Sequence, residues 1–356
     1  MAPISNPRRV RIRRPGGYDR LEIERDFHPG TPGPGEALIE VRAAGVNYAD
    51  STIRMGLYSS AKKYVGWPIT PGFEFAGTVV DLGEEAPAAN GQAGFRVGDE
   101  VFGVTRFGGW SSHLVVDRSL ILPLPKELSL DEAAGFPTVF LTAYYPLFAL
   151  TRLRPGETVL IHSAAGGVGG ALIQLCRVAQ CHTVGVVGSA HKCEVARALG
   201  ADVVIDKSRG DLWREAERAA PGGFTMILDA NGAATLRESY RHLRPGGRLV
   251  TYGFHSMFRR GADRPSKWKL ALDWLRTPRF DPLRMVMENR SVLAFNLSYL
   301  FDERELFGDA MTNLLRWLEE GKVKPLPHQT FPVERVADAQ RSIESGETTG
   351  KLILTF

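Results

Sequence analysis

The run Glu157-Thr158-Val159-Leu160-Ile161-His162-Ser163-Ala164-Ala165-Gly166-Gly167-Val168-Gly169-Gly170 is an apolar strand entering a glycine-rich turn, and Ala171-Leu172-Ile173-Gln174-Leu175 continues it as a helix. These residue types at this spacing can bind a pyrophosphate. Gly166 lets the backbone close on phosphate, Gly169 lets the helix pack on the strand, and the first-turn N–H groups at the positive helix end hold the anionic charge. Ala164 replaces the first glycine of the usual G-x-G-x-x-G pattern, and small-residue turns also end ordinary strands, so the motif draws its weight from context. Ala165, Gly166, Gly167 and Val168 are the expected cofactor contacts in the turn.

A second strand, His182-Thr183-Val184-Gly185-Val186-Val187, ends at Gly188-Ser189, about 20 residues past the glycines, where an adenosine ribose belongs. An NAD site usually carries an acid there. Gly188, Ser189 and Lys192 instead leave nothing to repel a 2′-phosphate, and a hydroxyl with an ammonium suits one, so NADPH is expected over NADH. Two readings of Lys192 stand: a phosphate ligand, or a solvated lysine in the first turn of the helix carrying Ala196 and Leu199.

Other chemistries fail on spacing. Cys176, Cys181 and Cys193 make neither a tetrahedral zinc set nor a disulfide framework, and they fit a reducing, cytoplasmic compartment. The eight histidines are scattered without an H-E-x-x-H motif, and His162-Ser163 lacks the G-x-S-x-G elbow of a hydrolase. A net charge of +4 without a basic run and interleaved aromatics argues against nucleic acid. Arg8, Arg9, Arg11, Arg13 and Arg14 alternate with Val10 and Ile12, as on the solvent face of an edge strand. Met1-Ala2-Pro3-Ile4 opens no signal peptide. The uncharged stretch Ala133 to Thr151 holds Pro137 and Pro146, which favours a buried helix between domains over a membrane span.

The elements that must position the turn follow from pattern. With 356 residues, 44% of them hydrophobic, the chain can build two packed cores. Up to about Pro137, short alternating runs such as Ala37–Arg42 and Gly77–Leu82, broken by Gly and Pro, predict an all-β region. From Thr138, strands at Val159–Ser163, Thr183–Val187, Val203–Ile205, Met226–Asp229, Arg248–Tyr252 and Val292–Leu297 alternate with helices, which predicts an α/β Rossmann fold with a doubly wound parallel sheet. Val333–Ala339 and Gly350–Leu354 predict a helix and a terminal strand returning to the first domain. The expected division is residues 1–137 with 301–356, and 138–300.

Gly45-Val46-Asn47-Tyr48-Ala49-Asp50, Arg54-Met55-Gly56-Leu57-Tyr58, Pro71-Gly72-Phe73-Glu74-Phe75-Ala76-Gly77, Gly98-Asp99-Glu100-Val101 and Leu141-Thr142-Ala143-Tyr144, together with the glycine turn, resemble the medium-chain dehydrogenase/reductase family, in its zinc-independent quinone oxidoreductase branch. Arg244–Gly253 and Gly321-Lys322-Val323-Lys324-Pro325 are similar to the VAT-1-like subgroup. The resemblance spans nearly the whole chain. It implies a β-rich GroES-like catalytic domain beside the Rossmann domain, and a homodimer in which Val292–Leu297 pairs with its twin. Zinc-dependent members carry a Cys where Asn47 stands and a His where Phe73 stands, and Gly135–Thr142 supplies no further ligand, so no metal is expected.

Without a metal, a hydride can still reach an electrophilic carbon of a quinone or an α,β-unsaturated carbonyl, given a polarised carbonyl and a dry pocket. The resemblance implies Asn47, Thr52 and Tyr58 as the catalytic candidates. Asn47 either donates its amide to the carbonyl oxygen or closes a turn beside Asp50. Thr52 stands where relatives often carry a Tyr, which removes a tyrosine donor and leaves a hydroxyl to orient substrate or water. The resemblance further implies cofactor contacts at Thr142, Asn231, Tyr252, Gly253, Phe295, Leu297 and Lys351. Asp50 and Arg54 read as a structural pair one helical turn apart, and Glu74, if buried, needs a partner such as Arg54.

The segment 254–290 is an insertion by the standard of a plain quinone reductase. From His255 to Arg290 it holds nine Lys or Arg and four Asp or Glu, with Trp268, Leu272 and Leu275 at helical spacing. A lid covering the substrate cleft with its apolar face is preferred here over peripheral contact with an anionic membrane. Two function classes therefore stand: an NADPH-dependent reductase of a small apolar carbonyl or quinone, and an NADP-binding protein of weak or no catalysis that acts through lipid or partner binding.

Overall fold

Apolar alternation in the first third of the chain becomes a set of antiparallel strands in the computed structural model, which describes residues 6–84, 94–257, 263–264 and 266–356. The opening Met1-Ala2-Pro3-Ile4 lies outside the described residues. Strands β1 (Arg8–Arg11) and β2 (Glu22–Arg25) form a two-stranded ribbon. Its arginines are not merely solvated: Arg9 pairs with Glu24 at 2.6 Å and Arg13 with Glu22 at 2.9 Å. Then come β3 (Glu36–Val46), helices α1 (Tyr48–Arg54) and α2 (Ser59–Tyr64), and strands β4 (Glu74–Leu82), β5 (Glu100–Val104), β6 (His113–Asp117) and β7 (Ile121–Pro123). Alternate residues of β3 and β4 meet Val10, Val101, Trp110 and Val116 in a dry core. Trp110 is fully buried and donates Nε1–H to the Gly45 carbonyl at 3.0 Å, which fixes the chain two residues before Asn47.

Helix α3 (Leu130–Ala134) is capped by Ser129, whose Oγ accepts from Glu132 N–H while the Glu132 carboxylate returns to the Ser129 N–H. Helix α4 (Pro137–Tyr144) passes into a π-helical stretch at Tyr145–Ala149. The uncharged segment is therefore a broken helical run, because Pro146 has no N–H to continue the ladder. Among the described residues no helix is long and apolar enough to cross a membrane.

The strand-helix alternation that follows builds β8 (Thr158–His162), α5 (Gly167–Val178), β9 (His182–Val187), α6 (His191–Ala198), β10 (Val203–Asp206), α7 (Leu212–Ala219), β11 (Phe224–Asp229), α8 (Leu236–Arg241) and β12 (Leu243–Thr251). After α9 (Lys267–Arg276) and α10 (Pro282–Glu288), β13 (Ser291–Ala294) completes a parallel sheet of order β10-β9-β8-β11-β12-β13. The order reverses between β8 and β11, and the crevice outside their carboxyl ends is where such sheets take ligands. The last expected strand is shorter than predicted: Phe295 and Leu297 lie beyond β13, Leu297 opening a 3-10 turn in which Asn296 Oδ1 accepts from Ser298 N–H.

The chain then runs through α11 (Arg304–Glu319) and returns to the first sheet with β14 (His328–Pro332), α12 (Val336–Ser345) and β15 (Lys351–Thr355), β15 pairing antiparallel with β3. Two units result, residues 1–138 with 325–345 and 351–356, and residues 139–324 with 346–350. The boundary expected at residue 300 falls instead at Lys324. Helix α11 packs Trp317 on Tyr144 and Phe148, with ring centroids 6.1 and 5.4 Å apart, and Gln174 holds both the N–H and the carbonyl of Lys324.

Candidate functional site

In the second unit the glycine turn has the expected form. Ser163 leaves β8 at φ +56°, a left-handed conformation that is costly for a non-glycine residue and that clusters at ligand sites. Gly166 caps α5 in extended conformation, and the first N–H groups of that helix have no partner within it. A Cβ at Gly169 would lie 2.3 Å from the Ser163 carbonyl oxygen, so the tight helix-strand approach does require glycine. Beside the turn, Asn231 is 8% exposed, its Oδ1 accepts from Ser163 Oγ at 3.3 Å, and its Nδ2 is buried without a hydrogen-bond partner.

Asp229, at the carboxyl end of β11, explains how Asn231 is held. Its Oδ1 accepts the N–H groups of Asn231 and Gly232 at 2.8 and 3.0 Å, and its Oδ2 accepts the hydroxyls of Thr235 and Ser239 at 2.7 and 2.9 Å. His162 joins through Ser239 at 3.1 Å, and burial lowers the basicity of its imidazole against the pull of the Asp229 carboxylate. Asp229 went unnoticed in the sequence. The signal for it was a carboxylate at a strand end followed by Asn-Gly, the pattern of a side chain that folds its own turn.

At the end of β9, Gly188 and Ser189 sit half-buried, and Ser189 Oγ lies 3.3 Å from His191 Nδ1. Lys192 is not solvated. It is buried, and its ammonium donates to the Gly346 carbonyl, while His191 Nε2 lies 3.3 Å from the Glu347 carbonyl. The 346–350 segment continues past the glycine turn, where Gly350 N–H donates to the Ala165 carbonyl at 2.9 Å. Nothing local in the sequence announces this segment, because its role arises from a chain return of more than 150 residues. Tyr252 and Phe295 stack at 5.9 Å, Phe295 meets Tyr145 at 5.0 Å, and burial raises the Tyr252 phenol. Gly253 approaches Ala230: a Cβ there would lie 2.7 Å from the Ala230 carbonyl oxygen. Thr142 lies in the middle of α4, and Val168 in the first turn of α5.

In the first unit, Asn47 is the N-cap of α1, with Asp50 reaching back to it, and its side chain meets two charges. Its backbone N–H donates to Asp50 Oδ2 at 2.8 Å, while its Oδ1 accepts from Lys351 Nζ at 2.6 Å and its Nδ2 donates to Glu74 Oε1 at 3.0 Å. Lys351 Nζ also meets Glu74 Oε1 at 2.6 Å, with the two side chains 4% and 0% exposed. Two expectations fail here. Asp50 does not pair with Arg54 but accepts Gly72 N–H at 3.0 Å, and burial raises its carboxyl to about 7. Glu74 is partnered by Lys351, whereas Arg54 is held by Glu344 at 2.8 Å and Gln340 at 2.6 Å, tying α1 to α12. The separations in sequence, more than 270 residues in each case, hid both partners.

Thr52 is also tied back: its Oγ1 donates to the Ala49 carbonyl at 2.8 Å, so it can accept a further hydrogen bond but has no second proton to give. Tyr58, half-buried, meets Phe73 edge to face at 5.8 Å, and Phe73 meets Phe107 at 5.6 Å, a partly exposed aromatic wall beside Ile53 and Ile69. Among the described residues no group of three His, Cys, Asp or Glu side chains has metal-binding geometry.

The lid expectation is overturned. Trp268, Leu272 and Leu275 are 87%, 45% and 68% exposed, and it is the polar side of α9 that faces the protein, with Asp273 buried and Lys269 donating to Asp273 and to the Ser256 carbonyl. Residues 258–262 and 265 of that insertion, including Arg259 and Arg260, lie outside the described residues.

Two units of this construction, a GroES-like β-domain and a dinucleotide-type parallel sheet, define an oxidoreductase class, and the chain belongs to the medium-chain dehydrogenase/reductase family. Residues 33–126 match the alcohol dehydrogenase GroES-like domain and residues 199–354 the zinc-binding dehydrogenase domain. Within the family it falls in the quinone oxidoreductase branch with the VAT-1-like proteins. It is 35% identical over 340 residues to the synaptic vesicle membrane protein VAT-1 homolog of Rattus norvegicus, covering 95% of this chain and 81% of that protein. Among solved structures it resembles the Escherichia coli quinone oxidoreductase complexed with NADPH, with a TM-score of 0.82 at 25% identity, covering 98% and 100% of the two chains. It also resembles the CurK enoyl reductase, with a TM-score of 0.81 at 29% identity, covering 98% and 99%.

Proposed function

We propose that the protein is an NADPH-dependent reductase of a quinone or an α,β-unsaturated carbonyl compound. One observation carries the cofactor half: the strained Ser163 turn, its open glycine cradle and the orphaned Asn231 Nδ2 stand together at the switch point of the parallel sheet. A buried amide without a partner costs about 1–3 kcal/mol, a cost that a phosphate or carboxamide oxygen would remove. The residues therefore fit a dinucleotide. Ala165, Gly166, Gly167, Val168 and Asn231 would hold its pyrophosphate side, Ser189 with His191 the adenosine end, and Thr142, Tyr252, Gly253, Phe295 and Leu297 the remainder. The bound cofactor supplies a hydride.

The chain's own residues do the rest. Asn47 donates an N–H to the substrate carbonyl oxygen, where negative charge develops as the hydride arrives. Tyr58, Phe73 and Phe107 give a flat apolar acceptor a dry wall. The proton that completes the reduction comes from water or a substrate-side hydroxyl, since the Thr52 proton is engaged. NADPH over NADH rests on the absence of an acid at Gly188-Ser189. Lys192, tied to Gly346, shapes that corner rather than offering a free ammonium. The resemblance to a quinone oxidoreductase complexed with NADPH and to an enoyl reductase supports both halves of the reading.

A homodimer is part of the proposal. Among the described residues β13 ends the sheet order and has no strand beside one of its edges, and α10, just before it, exposes Leu283, Val286 and Met287 by 76%, 80% and 87%. The second reading, an NADP-binding protein acting through lipid or partner binding, is favoured by the exposed Trp268, Trp274 and Leu275 of α9. NADPH and NADH consumption measured side by side on a panel of quinones and enones, with cofactor binding followed by fluorescence, separates the two. Turnover with NADPH well above NADH supports the reductase; tight NADPH binding without turnover on any acceptor refutes it in favour of the second reading.

A further inference from the structure

We propose that Lys351 and Glu74 are positioning residues for Asn47, fixing its carboxamide as a hydrogen-bond donor to the substrate oxygen, and that Lys351 is not a cofactor ligand. The inference rests on the reductase reading.

A carboxamide has one accepting and one donating end, and a half-turn about its last bond exchanges them. In the first unit both ends are set by charge. Oδ1 faces an ammonium at 2.6 Å, and Nδ2 faces a carboxylate at 3.0 Å. The flipped amide would aim N–H at the ammonium and C=O at the carboxylate, and burial of Lys351 and Glu74 leaves little water to screen those repulsions. The accepting end is thereby occupied. What remains is the second Nδ2–H, so Asn47 offers a donor.

The cluster is built into the fold. Glu74 Oε2 accepts the Thr138 N–H at 2.8 Å, while Oε1 takes both Asn47 and Lys351, so the carboxylate is held from three sides. Two glycines make room for it. A Cβ at Gly45 would lie 2.2 Å from Glu74 Oε1 and 2.7 Å from the Ala134 carbonyl oxygen, and one at Gly135 would lie 2.8 Å from Lys351 Cγ. The ammonium is neutralised by Glu74 and spends two of its three protons on the cluster, which leaves it poorly suited to anchor an anionic cofactor.

The test is a double-mutant cycle on the full chain, reading kcat and KM with the best quinone of the panel, NADPH Kd by fluorescence, and Tm. Asn47→Ala and Lys351→Met should each lower kcat about tenfold or more with NADPH Kd within about twofold of the parent, and Lys351→Met in the Asn47→Ala background should add no further loss, because residues acting as one unit are not additive. A further loss in that background, or a rise in NADPH Kd at unchanged kcat, overturns the inference while leaving the reductase reading intact. Lys351→Met leaves the buried Glu74 without its counter-charge, so the neutral pair Lys351→Met with Glu74→Gln serves where the single variant does not fold. If the parent turns over no acceptor, the reductase reading fails on its own. The inference is then read by NMR: the Asn47 side-chain NH2 signals, identified by their loss in Asn47→Ala, should be shifted and well separated in the parent and collapse towards random-coil positions in the neutral pair. Unchanged signals overturn it.

Discussion

One methyl group at Gly169 and one at Gly166 should separate the two tasks of the glycine turn. A Cβ at Gly169 would lie 2.3 Å from Ser163 O, 2.8 Å from Ala164 Cα and 2.9 Å from Ser163 C. All three atoms are backbone, so no rotamer relieves the clash, and α5 must move off β8. Overpacking of this kind costs about 1–3 kcal/mol, and a unit of this size loses roughly 2–4 °C in Tm per kcal/mol. Gly169→Ala should therefore melt about 2–12 °C below the parent. At Gly166 the added Cβ meets only Ser163 O at 3.3 Å, and φ −82° with ψ 177° suits any residue. Gly166→Ala should fold within about 1 kcal/mol of the parent, but its methyl stands where the pyrophosphate must approach. NADPH binding should weaken about tenfold or more, some 1.4 kcal/mol. Thermal melts of both variants, with fluorescence titration of NADPH, give the two numbers. Gly166→Ala that binds NADPH like the parent would refute the assignment of the turn, and an unshifted melt of Gly169→Ala would refute the packing argument.

Further outcomes follow from the same geometry. Asn231→Ala removes the orphaned amide and should weaken NADPH binding about tenfold while lowering apo stability by no more than about 1 kcal/mol, measured by titration and urea unfolding. Asp50 titrates at about 7 in the fold and at about 3.9 when unfolded. Between those values the folded chain keeps a proton that the unfolded chain has lost, so the contribution of Asp50 to stability falls as pH rises, by about 1.4 kcal/mol per unit. The stability deficit of Asp50→Asn should accordingly be largest near the acid end of that window and shrink towards neutrality; a deficit constant with pH sinks the assignment. Arg54→Leu strands a buried Glu344 carboxylate and should cost about 3–5 kcal/mol in urea unfolding. Met287→Lys on the exposed face of α10 should shift light scattering towards monomer if that face lies in the dimer contact, and an unchanged mass would remove it from the interface.

Much of this was legible in the chain. The alternation after Thr138 located all six parallel strands to within a few residues, because a strand buried on both faces must be apolar throughout while the helices between show their own period. The glycine turn was legible because close approach of backbone leaves only glycine as a choice. The candidate catalytic cluster was half legible: the motifs singled out Asn47, Glu74 and Lys351, but they gave Glu74 the wrong cation and did not join Lys351 to Asn47. Ion pairs are set by distance in space, and Asn47 and Lys351 are 304 residues apart. The basic insertion was misjudged for a related reason. Spacing revealed the stripe of Trp268, Leu272 and Leu275 on α9, yet which side of a helix meets the protein depends on what is packed beneath it, and there Lys269 and Asp273 fill that place.

By itself, then, the sequence determined the local elements, the fold class, the family and the glycine turn between β8 and α5, all of which depend on the period and size of neighbouring side chains. Only the tertiary structure decided which charges pair, that Asn47 meets Lys351 with its oxygen and Glu74 with its amide nitrogen, that Lys192 and the 346–350 segment close the corner by the second strand, and that the apolar stripe faces water. Those outcomes depend on chain returns of a hundred residues and more, and on burial, which turns a modest surface attraction between charges into a constraint on geometry.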